Sequence, residues 1–521
     1  MAEETSRAKI LVKNTAWIYF GKLFTQLFGV IATILVIRKL AVDVFGTYNF
    51  LIKILLIYFV FALSPVLNLF NRYIPELLQL KDFRRIKKLI RIGISLSASC
   101  AVVISFLIFF LSDTFSNLFN IENLRLYYNA LMFFIIATFF KNLFNTILTS
   151  ALLHQYAAIL MTFSSLVRSV LLVGLLKIID VNLLLIIEGT ASLAFFLPGL
   201  FLLIRFFRSR AQQEVVDVEK SDIRKRVIKF GMYSAFNELG YGLVGRESDF
   251  YIISAFSSPY FVGLYSFGTS IYEMIFKVLP VREFMTVLRP VFFQKFTGDH
   301  SREEFIHIYN FIVKLILPAF LLPTVYFIIF GQQVINLLFD PKYIDAYWAT
   351  NLILLSNISL AVFMPLNLVL HLKERMDIAL LSKIVAVFSI VAGIFAMKRF
   401  GIVGVAATTL IGDFLREMFV FLIIRRTVPL KYRLDVFRNY LFIFVLTGIP
   451  FLFLRDVINS LEVLILVSAV YGIVVLLVVI LFHPFNAEDQ VLLNKLSGST
   501  KISSMIGQVI RKVYGLRSKR V

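Results

Sequence analysis

Charged and amide side chains stand at helical spacing inside long apolar runs of this chain. A charge placed in hydrocarbon costs at least roughly 2.5 kcal/mol and usually faces a cavity. Thr15, Tyr19, Lys22, Gln26, Gly29 and Thr33 follow one another at steps of four and three residues, which puts them on one helix face with Lys22 as its only charge. Thr138, Asn142, Asn145 and Thr149 form a similar stripe, with Lys141 beside it. Arg168 lies in the middle of another apolar run and Lys53 in the outer part of its own, while Glu188 is the one deep acid of the first half. Such a cationic set suits a phosphate ligand: arginine offers two parallel hydrogen bonds to phosphate oxygens, and lysine a mobile point charge. The structural alternatives are that some of these side chains snorkel to headgroups, or pair with acids of the second half.

The second half mixes signs. Glu238, Gly242, Gly245 and Asp249 share a face, and Arg246, three residues before Asp249, can pair with it or join the cationic set. Glu247 points the opposite way. Ser266, Ser270, Glu273 and Lys277 repeat the spacing, and Asp413, Arg416 and Glu417 lie further on. Glu238, Asp249, Glu273 or Asp413 could bind a coupling cation, H⁺ or Na⁺, because a buried carboxylate can cycle a proton or hold an ion. The plainer reading is that these acids neutralise Arg246, Lys277 and Arg416. There is no phosphate-binding loop of the nucleotide-hydrolysing kind and no metal-ligand cluster; the single cysteine, Cys100, forms no internal disulfide. Neither cofactor nor metal is expected, nor a nucleic acid, despite a net charge of +21.

These residues need long apolar elements to hold them. The 521 residues are 59% hydrophobic and 16% charged, with 56 phenylalanines and mean hydropathy +0.85, a composition far from that of soluble domains. A window of roughly 20 residues gives about fourteen spans, which must be helices. Their expected limits are 15–37, 47–69, 92–112, 127–149, 157–178, 183–204, 231–254, 260–282, 307–330, 348–370, 378–398, 401–424, 438–455 and 461–482. Lysine and arginine are roughly five-fold richer on one side, which places both termini in the cytoplasm of a cytoplasmic-membrane protein. Pro65, Pro318, Pro323 and Pro365 are expected to bend their helices.

The expected organisation is an N-terminal lobe (1–204, six helices), a cytoplasmic linker (205–230), a C-terminal lobe (231–424, six helices), two extra helices (425–482) and a basic tail (483–521). The tail is expected to form a basic amphipathic helix on the inner surface, with Ile502, Ile506, Val509 and Val513 on one face. Six spans per lobe give both copies one orientation, a parallel pseudo-two-fold repeat. The strings "VFGTYNF" (44–50) and "FVGLYSF" (261–267) support it: Gly46 and Gly263 are 217 residues apart (263 − 46), as are Tyr48 and Tyr265. Each is expected to be an outer turn, with glycine for the bend and tyrosine at the headgroups. "SNLF" (116–119) and "NLLF" (336–339) echo at 220 (339 − 119).

The stretches "NTAWIYFGKLFTQLFGVIATILVIRKLAVDVFGTYNF" (14–50), "NRYIPELLQLKDFRRIKKLIRIG" (71–93), "ESDFYIISAFSSPYFVGLYSFGTSI" (247–271), "LLFDPKYIDAYWATNLILL" (337–355) and "FGIVGVAATTLIGDF" (400–414) resemble the polysaccharide flippase branch of the multidrug/oligosaccharidyl-lipid/polysaccharide exporter superfamily. The resemblance spans nearly the whole chain. It implies two six-helix lobes around a central cavity, two further helices, and alternating-access export of a lipid-linked oligosaccharide, with membrane lipids and other polysaccharide-assembly proteins as partners. The alternatives are a lipid II-type flippase, a cation-coupled drug exporter of the same superfamily and, less in keeping with the short outer loops, a membrane glycosyltransferase or polymerase.

Overall fold

The computed structural model describes residues 26–80, 82–121, 124–209, 246–279, 302–372, 375–426, 434–482 and 489. Among them there is no strand, and nine helical segments are long and apolar enough to cross a membrane. In chain order the helices are α1 (26–39), α2 (Val42–Tyr58, continued as Ser64–Gln79), α3 (Phe83–Phe110), α4 (Tyr128–Ser150), α5 (His154–Gly174) and α6 (Val181–Ser209). The second half supplies α7 (Arg246–Phe256), α8 (Pro259–Val278), α9 (Arg302–Gln333), α10 (Tyr347–Leu372) and a continuous helical stretch, Met376–Ile424. Leu434–Leu452 (α13) and Leu461–Phe482 (α14) follow.

Met376–Ile424 is two spans. Gly401, at φ 60 and ψ −147, breaks the helix into limbs α11 (376–400) and α12 (402–424). A Cβ on Gly412 would stand 2.4 Å from the Cβ of Ser389, so positions nearly equidistant from Gly401 face each other and the limbs run antiparallel. This accounts for the separate spans expected at 378–398 and 401–424. In α2 the irregularity is a π-turn, Phe59–Leu63, directly before Pro65. Proline has no N–H to give and crowds the preceding turn, and a wider turn relieves both constraints. Helix α9 stays continuous through Pro318 and Pro323.

Phe106, Phe110, Val170, Phe201, Phe388 and Phe395 are exposed on the outer helix surfaces. In a bilayer these meet lipid at no cost, so helix association rests on close packing and polar contacts rather than on burial from water. Buried side chains fall into two clusters. One joins the second half to residues 32–58, 108–135 and 172–187 of the first. The other lies wholly within the first half, from Leu63 and Phe70 through Phe144 and Leu160 to Leu203. The halves therefore pack together toward one membrane face and keep separate cores toward the other.

The joined face is held by reciprocal contacts. A Cβ on Gly46 would stand 2.0 Å from the Pro259 carbonyl oxygen, and one on Gly263 1.9 Å from that of Val42. Positions 42 and 259 are themselves 217 apart, so each glycine meets the equivalent carbonyl of the other helix. Phe50 packs on Phe119 with ring centroids 5.0 Å apart, and Phe267 on Phe339 at the same 5.0 Å. Lys342 reaches across to donate to the Arg38 carbonyl at the end of α1 (2.7 Å). Asn120 reaches the other way, to the Ser254 (3.1 Å) and Ser257 (3.0 Å) carbonyls at the end of α7. Both caps satisfy carbonyls that a helix end leaves without partners. Asn120 sits at φ 50, a left-handed conformation that asparagine tolerates better than most residues. Ser254 Oγ returns a bond to the Phe119 carbonyl (2.6 Å).

Candidate functional site

Behind this closed face lies a cavity of about 430 Å³ between the halves. Helix α1 lines it with Gln26, Gly29 and Thr33, the described part of the first stripe. Helix α8 lines the opposite wall with Ser270, Glu273 and Lys277. The 3.6-residue period explains both: each set occupies one face of its helix, and those faces meet across the cavity. Lys53 and Asn49 of α2, Ser165 and Arg168 of α5, and Glu188 of α6 complete the polar lining.

Among the described residues, each cation lining the cavity has an acidic neighbour. Arg168 Nε donates to Glu188 Oε1 at 2.7 Å, and the Tyr48 hydroxyl donates to the same oxygen at 2.8 Å. Lys53 Nζ stands 2.9 Å from Glu247 Oε2 of the second half and 4.6 Å from the centre of the Phe250 ring. Lys277 pairs with Glu273 at 3.2 Å. Lys141 and Asn145 do not line the cavity. Lys141 is half-buried on α4 within electrostatic reach of Glu188 and Arg168, and the Asn145 carbonyl accepts the Thr149 hydroxyl at 2.9 Å. Thr138 of that stripe bonds Ser192 of α6 at 3.1 Å, a helix–helix contact within the first half. Lys22 and Glu238 lie outside the described residues.

A second polar centre lies inside the C-terminal helices. Asp249 is buried and accepts from the Tyr265 hydroxyl and from Thr409 Oγ1, which is 2.9 Å from both carboxylate oxygens. Arg246 turns to α10, donating to Ser356 and to Asn357 Oδ1 (2.9 Å), with its guanidinium 4.2 Å from the centre of the Tyr272 ring. Asp413 is 3.4 Å from Arg416, which also contacts Glu417 at 3.1 Å. Glu273 and Asp413 thus have the basic partners expected on the plainer reading.

The Gly-x-Tyr-x-Phe strings are not turns. The chain reverses earlier, at Leu40–Ala41 and Ser257–Ser258, and Gly46, Tyr48, Gly263 and Tyr265 lie inside helices. The glycines are small because a carbonyl of the facing helix occupies the space of a side chain. Tyr48 and Tyr265 are buried, with hydroxyls bound to Glu188 and Asp249 rather than to headgroups. The sequence reading also missed Asn49, although it stands four residues before Lys53 and so on the same face. Thr409 carried no local signal: it lies 160 residues from the carboxylate it binds.

Apolar helices packed around a charge-lined cavity make a multi-pass helical membrane protein with a candidate polar binding site at membrane depth. The chain matches the family described as polysaccharide biosynthesis protein over residues 11–296, more than half its length, and it belongs to that family. Its fold is similar to that of the lipid II flippase MurJ in an inward closed conformation (TM-score 0.64, 14% identity, covering 90% of this chain and 99% of that one). It is also similar to an inward-facing multidrug resistance MATE transporter of the MOP superfamily (0.62, 14%, 77% and 94%) and to a Vibrio cholerae MATE transporter (0.54, 12%, 80% and 97%). No curated protein sequence matches it. The chain is thus a multi-pass helical membrane protein of the polysaccharide biosynthesis family, with a fold shared by these flippases and transporters.

Proposed function

We propose that the protein moves a polyprenyl-diphosphate-linked oligosaccharide from the inner to the outer leaflet of the cytoplasmic membrane, for cell-surface polysaccharide assembly. The observation that carries this is the cavity wall: Gln26, Lys53 and Arg168 give one side amide and cationic groups suited to a diphosphate and its sugars. Lys22, outside the described residues, shares a helix face with Gln26 by sequence spacing and is assigned to the same anion-binding group in this proposal. With both termini cytoplasmic, the sealed face is the outer one and the cavity is loaded from the cytoplasm. Rocking of residues 1–204 against 231–424 then carries the headgroup across, and the contacts between positions 217 apart support a parallel repeat as the basis of that motion. The lipid tail stays in the bilayer, along helices α13 and α14. Asp249, with Tyr265 and Thr409 around it, is the foremost candidate among the acids for a coupling cation.

The test is headgroup translocation in proteoliposomes holding the full chain and a labelled polyprenyl-diphosphate oligosaccharide, under imposed H⁺ or Na⁺ gradients. Movement that requires the diphosphate and falls in the Lys22→Gln/Arg168→Gln double variant is expected. Full activity in that variant overturns the assignment of the wall. Transport of a cationic drug in place of any such lipid moves the chain to the drug-exporting branch.

A further inference from the structure

Arg168 is anchored at Glu188, and the Tyr48 hydroxyl, bound to the same carboxylate, also stands within reach of its guanidinium. The Nε donates to Glu188, which leaves the two terminal nitrogens as further donors. Arg168 lines the cavity with its side chain 30% exposed. Glu188 Oε1 takes both available donors, Arg168 Nε and the Tyr48 hydroxyl, from two different helices. Tyr48 is itself fixed, because it lies two residues beyond Gly46, where α2 is clamped against α8.

We propose that Glu188 and Tyr48 are positioning residues that turn the terminal nitrogens of Arg168 toward the cavity as a preset two-pronged receptor for a phosphoryl group. The inference rests on the function proposed above and adds how the headgroup is recognised. A guanidinium on a flexible stem loses rotamer entropy when it binds, and one already anchored by its Nε edge loses less. The fork matches two oxygens of one phosphoryl group or of a diphosphate. The acid thus costs the site some attraction for anions and supplies direction in return.

That trade gives opposite signs for two substitutions. If Glu188 merely offsets charge, Glu188→Ala and Glu188→Gln should both tighten anion binding. As a positioning residue, Glu188→Gln keeps an acceptor oxygen for Arg168 and Tyr48 and binds at least as tightly as wild type. Glu188→Ala frees the guanidinium and binds about five- to tenfold more weakly although a negative charge is gone. Tyr48→Phe should weaken binding about two- to threefold. The measurement is equilibrium binding of labelled farnesyl diphosphate to the full chain in lipid nanodiscs, with farnesyl monophosphate, farnesol and inorganic pyrophosphate as competitors and thermal unfolding recorded for each variant. Competition by pyrophosphate assigns recognition to the diphosphate itself; competition by farnesol alone assigns it to the tail and overturns the inference. Glu188→Ala binding as tightly as wild type or tighter also overturns it, as does binding that ignores Arg168→Gln. If Glu188→Ala does not fold, Tyr48→Phe decides alone, and unchanged affinity there rejects the positioning role. Wild type that binds neither diphosphate would instead remove the proposed function.

Discussion

Arg168 and Asp249 show two ways a protein keeps a charge at membrane depth. Arg168 has a counter-charge at 2.7 Å and remains open to the cavity. Asp249 has hydroxyls around it and is buried. The difference sets what each substitution should do. Arg168→Gln removes a charge-assisted contact worth about 1.5–3 kcal/mol, so initial rates of headgroup translocation should fall at least about tenfold, with the protein still folded. Asp249→Asn keeps the shape of the site and one acceptor oxygen for the surrounding hydroxyls, while removing the charge and the titratable proton. If the residue couples transport, the variant should still bind substrate but lose the dependence of its rate on an imposed H⁺ or Na⁺ gradient. An unaltered gradient dependence takes Asp249 out of that role.

At the level of helices, the two glycines and the two caps make the closed face a fastening rather than a smooth interface. Gly46→Val would drive its side chain into the Pro259 backbone, which cannot rotate away as a side chain would. The expected result is a face held open: a cysteine at Thr33, in a Cys100→Ala background, should be alkylated by an impermeant reagent from that side about tenfold faster. Asn120→Ala removes side-chain hydrogen bonds to carbonyls at the end of α7, a net loss of about 1 kcal/mol, and should give about a fivefold increase in the same assay. These elements also show where sequence reading succeeds. The stripes through Gln26 and Thr33 and through Ser270 and Lys277 were legible because polar residues at steps of three and four in an apolar run have one geometric meaning, a shared face. Gly46 and Gly263 were misread because a missing side chain permits a tight turn and a close helix crossing equally, and only the position of the other helix decides. Glu188 was visible as a deep acid, but its bond to Arg168 spans a helix turnaround and twenty residues, so no local spacing announced it.

For the whole molecule, the contrast between one shared core and one private core predicts where motion must break contacts. Asn120→Cys and Ser257→Cys, joined by a short bifunctional thiosulfonate, should arrest translocation, and reduction should restore it. Full transport while cross-linked would mean that the two halves never part at this face.

The pairing inside the cavity has an electrical consequence. Lys53, Arg168 and Lys277 each stand beside a carboxylate, so these pairs contribute no net charge to the wall. When an empty carrier of this kind reorients, the membrane potential does little work on those groups. A diphosphate in the cavity brings uncompensated negative charge, and each elementary charge carried across gains about 2.3 kcal/mol per 100 mV when the cytoplasm is negative. On the proposed direction of transport, the voltage acts on the cargo rather than on these carrier charges, and a cell's resting potential by itself favours export.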